Sequence, residues 1–72
     1  MNKNKFKSIM SLHGDTQRTT AEAIGISEQT MSEKINGVSE FKTSEIRTLI
    51  KRWDLTAYEV CDTFFGGDQD EG

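Results

Sequence analysis

Apolar side chains recur at helical spacing in five successive stretches of this chain, and no proline interrupts any of them. Strict alternation of apolar and polar residues, the mark of a half-buried strand, is scarce, so the pattern predicts an all-α domain. Phe6, Ile9, Met10 and His13 follow the i, i+3, i+4, i+7 rule and place one apolar stripe on a first helix that begins near Asn4 and is stopped by Gly14. Asp15 reads as the cap of a second helix, with Thr20, Ala21 and Ile24 facing inward and Gly25 as its left-handed stop. Ser27 caps a third helix anchored by Met31 and Ile35, which ends at Asn36-Gly37. Phe41, in the loop that follows, is expected to plug the core. Ile46, Leu49, Ile50 and Trp53 form the cleanest stripe and predict a fourth helix beginning after Thr43. Thr56 and Glu59 make a Thr-x-x-Glu capping box ahead of Ala57, Val60, Cys61 and Phe64, which predicts a fifth helix running to Phe65. The helical domain is thus assigned to residues 1–66, and the Gly-rich acidic stretch 67–72 is expected to be a disordered tail.

A chain of 72 residues is one domain, and a domain near this size buries only about 60% of the surface its unfolded form exposes. Little volume is left for shaping a catalytic pocket, and no nucleophile–base pair is visible, so an enzyme is not expected. The single cysteine, Cys61, reads as core, and the single histidine, His13, as a helix-terminus residue. With no further Cys or His near either, neither a metal site nor a cofactor is expected. No apolar run approaches the roughly 18 residues of a membrane span, and Met-Asn-Lys-Asn-Lys has no apolar signal region, which together predict a cytoplasmic protein. The net charge is −3, but Asp68, Asp70 and Glu71 supply three of the negative charges, so the body of the chain is neutral on balance.

Residues 16–36 carry residue types at offsets that suit a helix-turn-helix. Ala21 is small where a following helix must cross closely, Gly25 supplies the positive φ of the turn, and Ile26 puts an apolar side chain beneath it. Met31 and Ile35 bury the inner side of the second helix of the pair, leaving Glu28, Gln29, Ser32, Glu33 and Asn36 outward, the kind of polar surface that enters a DNA major groove. Lys51-Arg52-Trp53 could pass for a basic-aromatic patch, but Trp53 completes a core stripe and the two cations read as a solvated helix end.

Thr16-Gln17, Ala21, Gly25-Ile26-Ser27 and Asn36-Gly37 resemble the repressor and Cro proteins of lambda-type temperate phages. Asn36-Gly37-Val38-Ser39-Glu40-Phe41, Ser44-Glu45-Ile46 and Phe64-Phe65 further resemble a group of short prophage regulators from Gram-positive bacteria. The resemblance covers about residues 5–65. It implies a five-helix lambda-repressor-like domain that regulates a lysis–lysogeny switch, usually as a dimer on a pseudo-palindromic operator, in the cytoplasm of a bacterial host. Thr20 departs from the pattern, which mostly has an apolar residue there; its hydroxyl is expected to bond back along the helix.

Carried over residue by residue, the resemblance implies that Gln17 meets a phosphate at a helix N-terminus, with Arg18 adding charge. Glu28, Gln29 and Glu33 would read bases, with Thr30 and Ser32 close to the backbone or a thymine methyl, and Lys34, Asn36 and Lys42 would touch phosphates. Gln29 suits bidentate pairing with adenine, and glutamate can accept from cytosine N4. About three placed cations correspond to a salt slope near −3 for a monomer, or about −6 for a dimer, at roughly −0.9 per contact. Two glutamates on that surface oppose DNA and define a rival expectation: an antirepressor whose acidic face covers the basic DNA-reading surface of a cognate phage repressor. For dimerisation, Tyr58 and Phe65 near the fifth helix are the exposed candidates, each also readable as an ordinary surface or core residue.

Overall fold

The computed structural model describes residues 1–65, which form helices and connecting turns with no strand among the described residues. Helix α1 spans Lys3–Leu12, α2 Gln17–Ile24, α3 Glu28–Ile35, α4 Thr43–Trp53 and α5 Ala57–Val60, the last continuing as a π-helical turn over Cys61–Phe65. The expected all-α, five-helix architecture is what the chain adopts. The acidic tail expected over 67–72 lies outside the described residues. No helix among the described residues is long and apolar enough to cross a membrane.

Helices α1, α2, α3 and α5 start where a short polar side chain satisfies a free backbone N–H, whereas α4 follows Lys42 and has no such cap. Asn2 accepts from the Lys5 N–H at 3.1 Å, Thr16 from Thr19 at 3.1 Å, Ser27 from Thr30 at 3.0 Å and Thr56 from Glu59 at 3.1 Å. The Glu59 carboxylate answers by accepting the Thr56 N–H at 2.9 Å, completing the box read from the sequence. That backbone hydrogen bond holds the Glu59 carboxyl below its ordinary pKa. Gly25 ends α2 at φ 78°, a conformation that only glycine adopts without strain, and the next residues turn directly into α3.

Phe6 is fully enclosed and organises the core. Its ring stacks on Phe41 at 5.3 Å between centroids and meets the edges of Trp53 at 5.4 Å and Phe64 at 5.9 Å. Ile9, Met10, Ala21, Met31, Ile35, Leu49 and Leu55 fill the remainder, so the stripes inferred for four of the helices do converge. Phe41 is half-buried and packs on this cluster, as expected of a plug. Ala21, 2% exposed, packs where α2 meets α3.

Three expectations are corrected. Asp15 does not cap α2, because Thr16 stands one residue nearer and forms a reciprocal pair with Thr19. Cys61 is exposed, on the same side of the helix as Ala57 one turn earlier, which is exposed too, and the π-helical turn begins at this residue. Thr63 is buried beside Phe64, which takes the inward position expected of it. The Thr20 hydroxyl is fully buried and bonds to nothing, so the back-bond expected of it does not form.

Asp15 instead joins α2 to α4. Its carboxylate accepts two bonds from Arg52, at 2.8 and 2.9 Å, one from the Trp53 indole N–H at 2.7 Å and one from the Thr19 hydroxyl at 2.9 Å. The Arg52 guanidinium, with the indole and hydroxyl donors, holds the carboxyl far below the usual carboxylate range against the opposing effect of burial. The same pairing pushes the Arg52 pKa up. Because the native pKa lies beneath the unfolded value of about 3.9, the stabilisation is complete above that pH and drains away as pH falls toward the native pKa. Melting curves should therefore show Asp15→Asn less stable than wild type at pH 7, with the gap narrowing below about pH 4. A gap that stays constant down to pH 2 would refute the assignment.

Candidate nucleic-acid interface

The outer surface of α3 is set by the burial of its inner one. At about 3.6 residues per turn, Met31 and Ile35 point into the core, and Gln29, Glu33 and Asn36 fall on the opposite side. Gln29, Glu28 and Asn36 are exposed, whereas Thr30, Ser32 and Glu33 are half-buried. Glu33 lies against the turn that follows, its carbonyl accepting the Val38 N–H at 2.8 Å. The Ser27 hydroxyl donates to Thr30 Oγ1 at 2.9 Å, which occupies the Thr30 side chain in the cap.

Gln17 reaches from the first turn of α2 to the start of α3, donating from Nε2 to the Glu28 carbonyl at 3.4 Å. The N-terminal ends of the two helices are thereby brought to one surface, where free N–H groups and the positive ends of both dipoles suit an anion. Arg18 is close by in sequence and exposed, 3.6 Å from Glu22 in an i, i+4 ion pair. Lys42 leads into α4 with its side chain exposed, and its backbone N–H donates to Glu45 Oε1 at 2.9 Å.

Lys34 is not on this surface. Its side chain is 6% exposed, and its ammonium lies 3.0 Å from Glu45 Oε1, donates to the Glu40 carbonyl at 2.9 Å and stands 5.8 Å from the centre of the Phe41 ring. The phosphate contact expected of Lys34 is therefore corrected: all of its charge is engaged inside the protein. Its position, three residues after Met31 and one before Ile35, already puts it on the inner side of α3. The side chain of Asn36 is also committed. Its Nδ2 donates to the Ser32 carbonyl at 2.9 Å and stands 3.4 Å from Ser32 Oγ, while its Oδ1 accepts from Lys3 Nζ at 3.2 Å.

The surface brings together Gln17, Glu28, Gln29, Ser32, Glu33 and Asn36, with Arg18 following Gln17 in α2, and excludes Lys34, while Lys42 is exposed ahead of α4. Lys3, which the sequence reading passed over, joins the surface from α1. His13 ends α1 and stacks on Trp53 at 6.2 Å, and no group of His, Cys, Asp and Glu able to hold a metal occurs among the described residues. A cavity of about 280 Å³ lies away from the α3 outer face, between Met1, the turn after α3, Phe41, Ile46 and Phe64-Phe65.

Residues 6–67 match the family described as "Protein of unknown function (DUF739)", and the chain belongs to that family. No curated protein and no solved structure matches it.

Proposed function

We propose that this protein is a small transcriptional regulator of a temperate-phage lysis–lysogeny switch, acting in the bacterial cytoplasm and reading operator DNA with α3. The observation that carries the reading is the brace from Gln17 to Glu28, which holds two helix N-termini beside an exposed polar ridge joined by the Gly25 turn. A ridge of this kind fits a major groove, with phosphates at the helix ends and base edges under its centre. Gln29 is the residue best placed to read a base, being exposed, without an internal partner among the described residues, and able to pair bidentately with adenine. Binding as a dimer on two half-sites belongs to the same reading, and Tyr58 and Phe65, 75% and 67% exposed, are candidates for the contact.

The test is a gel-shift titration on a duplex selected by this protein from random-sequence DNA. Gln29→Ala should lose about 1–3 kcal/mol on the selected duplex and change little on an unselected one. Equal affinity of both proteins for the selected duplex would refute base reading by Gln29.

One observation favours the rival role. With Lys34 internal, the side chains that α3 turns outward include Glu28 and Glu33 and no cation, which suits an antirepressor that covers the basic DNA-reading surface of a cognate repressor. Calorimetry distinguishes the two: in that case Glu28→Lys with Glu33→Lys abolishes the heat of mixing with the repressor, and unaltered binding rejects this surface as the contact.

A further inference from the structure

Removing Lys34 from the surface leaves the ridge short of positive charge at its C-terminal end, and the residue that makes up the deficit lies on another helix. We infer that Lys3 is the phosphate-contacting residue at the C-terminal end of α3, positioned there by Asn36, with Lys7 continuing the same contact along α1. This inference rests on the DNA-binding reading above.

Asn36 is poorly suited to contact phosphate itself. Its amide nitrogen is turned back onto the oxygens of Ser32, and its carbonyl oxygen, which a phosphate would repel, is covered by the Lys3 ammonium at 3.2 Å. An ammonium has three donors. One is used on Asn36, and the others point away from it and are available to phosphate oxygens. A DNA strand crossing Gln29 and Asn36 thus meets a cation from α1 where the sequence led one to expect Lys34.

The three lysines of α1 divide sharply. Lys5 lies on the flank that faces the π-helical turn and pairs with Asp62 at 3.8 Å. Lys3 and Lys7 lie one turn apart on the other flank, neighbours at i, i+4. Both are exposed, and neither has an ion-pair partner among the described residues. Like charges at this spacing repel slightly, and an intervening phosphate relieves that repulsion.

The experiment measures the salt dependence of binding to a fluorescein-labelled duplex of random sequence, using the full chain between 50 and 200 mM salt. Each phosphate contact contributes about 0.9 to the slope, so Lys3→Gln should shallow it by about 0.9 and reduce the loss of affinity over this range by about 3.5-fold. Lys3→Arg should restore the wild-type slope. Asn36→Ala should weaken binding at 50 mM salt while Lys5→Gln changes neither quantity, and thermal melts establish that each variant is folded. A wild-type slope in Lys3→Gln overturns the inference and leaves the DNA-binding reading standing. Absence of any salt-dependent binding by the wild-type chain overturns both.

Discussion

Glu45→Ala is expected to destabilise the domain by about 3–5 kcal/mol, the usual cost of leaving a buried partner charge uncompensated. Glu45 Oε1 receives both the Lys34 ammonium at 3.0 Å and the Lys42 N–H at 2.9 Å. The alanine variant therefore loses an interior ion pair and the N-terminal cap of α4 in one step. Stabilities of about 0.05–0.15 kcal/mol per residue put a chain of this length at roughly 4–11 kcal/mol, so the loss takes most of the margin at the lower end. Urea unfolding should show a much lower midpoint, or no folded baseline. The informative partner is the double variant Lys34→Met with Glu45→Gln. Glutamine keeps the cap, since it accepts the same N–H, and methionine replaces the charged stem with an apolar one of similar length. The double variant should recover most of the loss, because the penalty comes from the unpaired charge and not from the absence of the pair. A double variant as unstable as Glu45→Ala would refute that account.

Phe6→Ala should cost about 3–5 kcal/mol, the range for truncating a buried aromatic. The ring touches Phe41, Trp53 and Phe64, which come from the loop before α4, the end of α4 and the π-helical turn. Removing it opens a hole that three other rings cannot fill without leaving their offset and edge-on arrangements. Phe6→Leu retains much of the volume and should lose substantially less. Equilibrium unfolding followed by Trp53 fluorescence checks both, and equal stability of the alanine and leucine variants would show that this ring is not the hub of the core.

The helices were legible because each repeats a local pattern. The stripe Ile46, Leu49, Ile50 and Trp53, the Thr56–Glu59 box and the Gly25 stop involve residues within a few positions of one another. The interior charges are less legible: the resemblance assigns Lys34 to phosphate and gives Glu45 no role. Yet each occupies an inward position of its helix, Lys34 beside Met31 and Ile35 and Glu45 four residues before Leu49. Two opposite charges on inward positions are a signal that pattern reading can use. Asp15 gave no such signal, because Arg52 and Trp53 lie far along the chain and are brought beside it by packing. The candidate site was readable in its outline, with Gln17, Glu28, Gln29 and Asn36 on one surface, but the reach of Lys3 to Asn36 depends on how α1 lies against α3. No spacing encodes it. The exposure of Cys61 and the burial of Thr63 were hidden for a different reason: a π-helical turn changes the register there, although Phe64 still faces inward.

The carbonyl of Thr63, within that turn, accepts the N–H of Asn2 at 2.8 Å. The first of the described helices is thus matched to the last described turn, and its greasy side waits for Phe41, Trp53 and Phe64 to be translated. At roughly 5–20 residues per second the delay is about 3–12 s. Until then Phe6 lacks the last of its three ring partners, so the core cannot close before the final helical turn has been made.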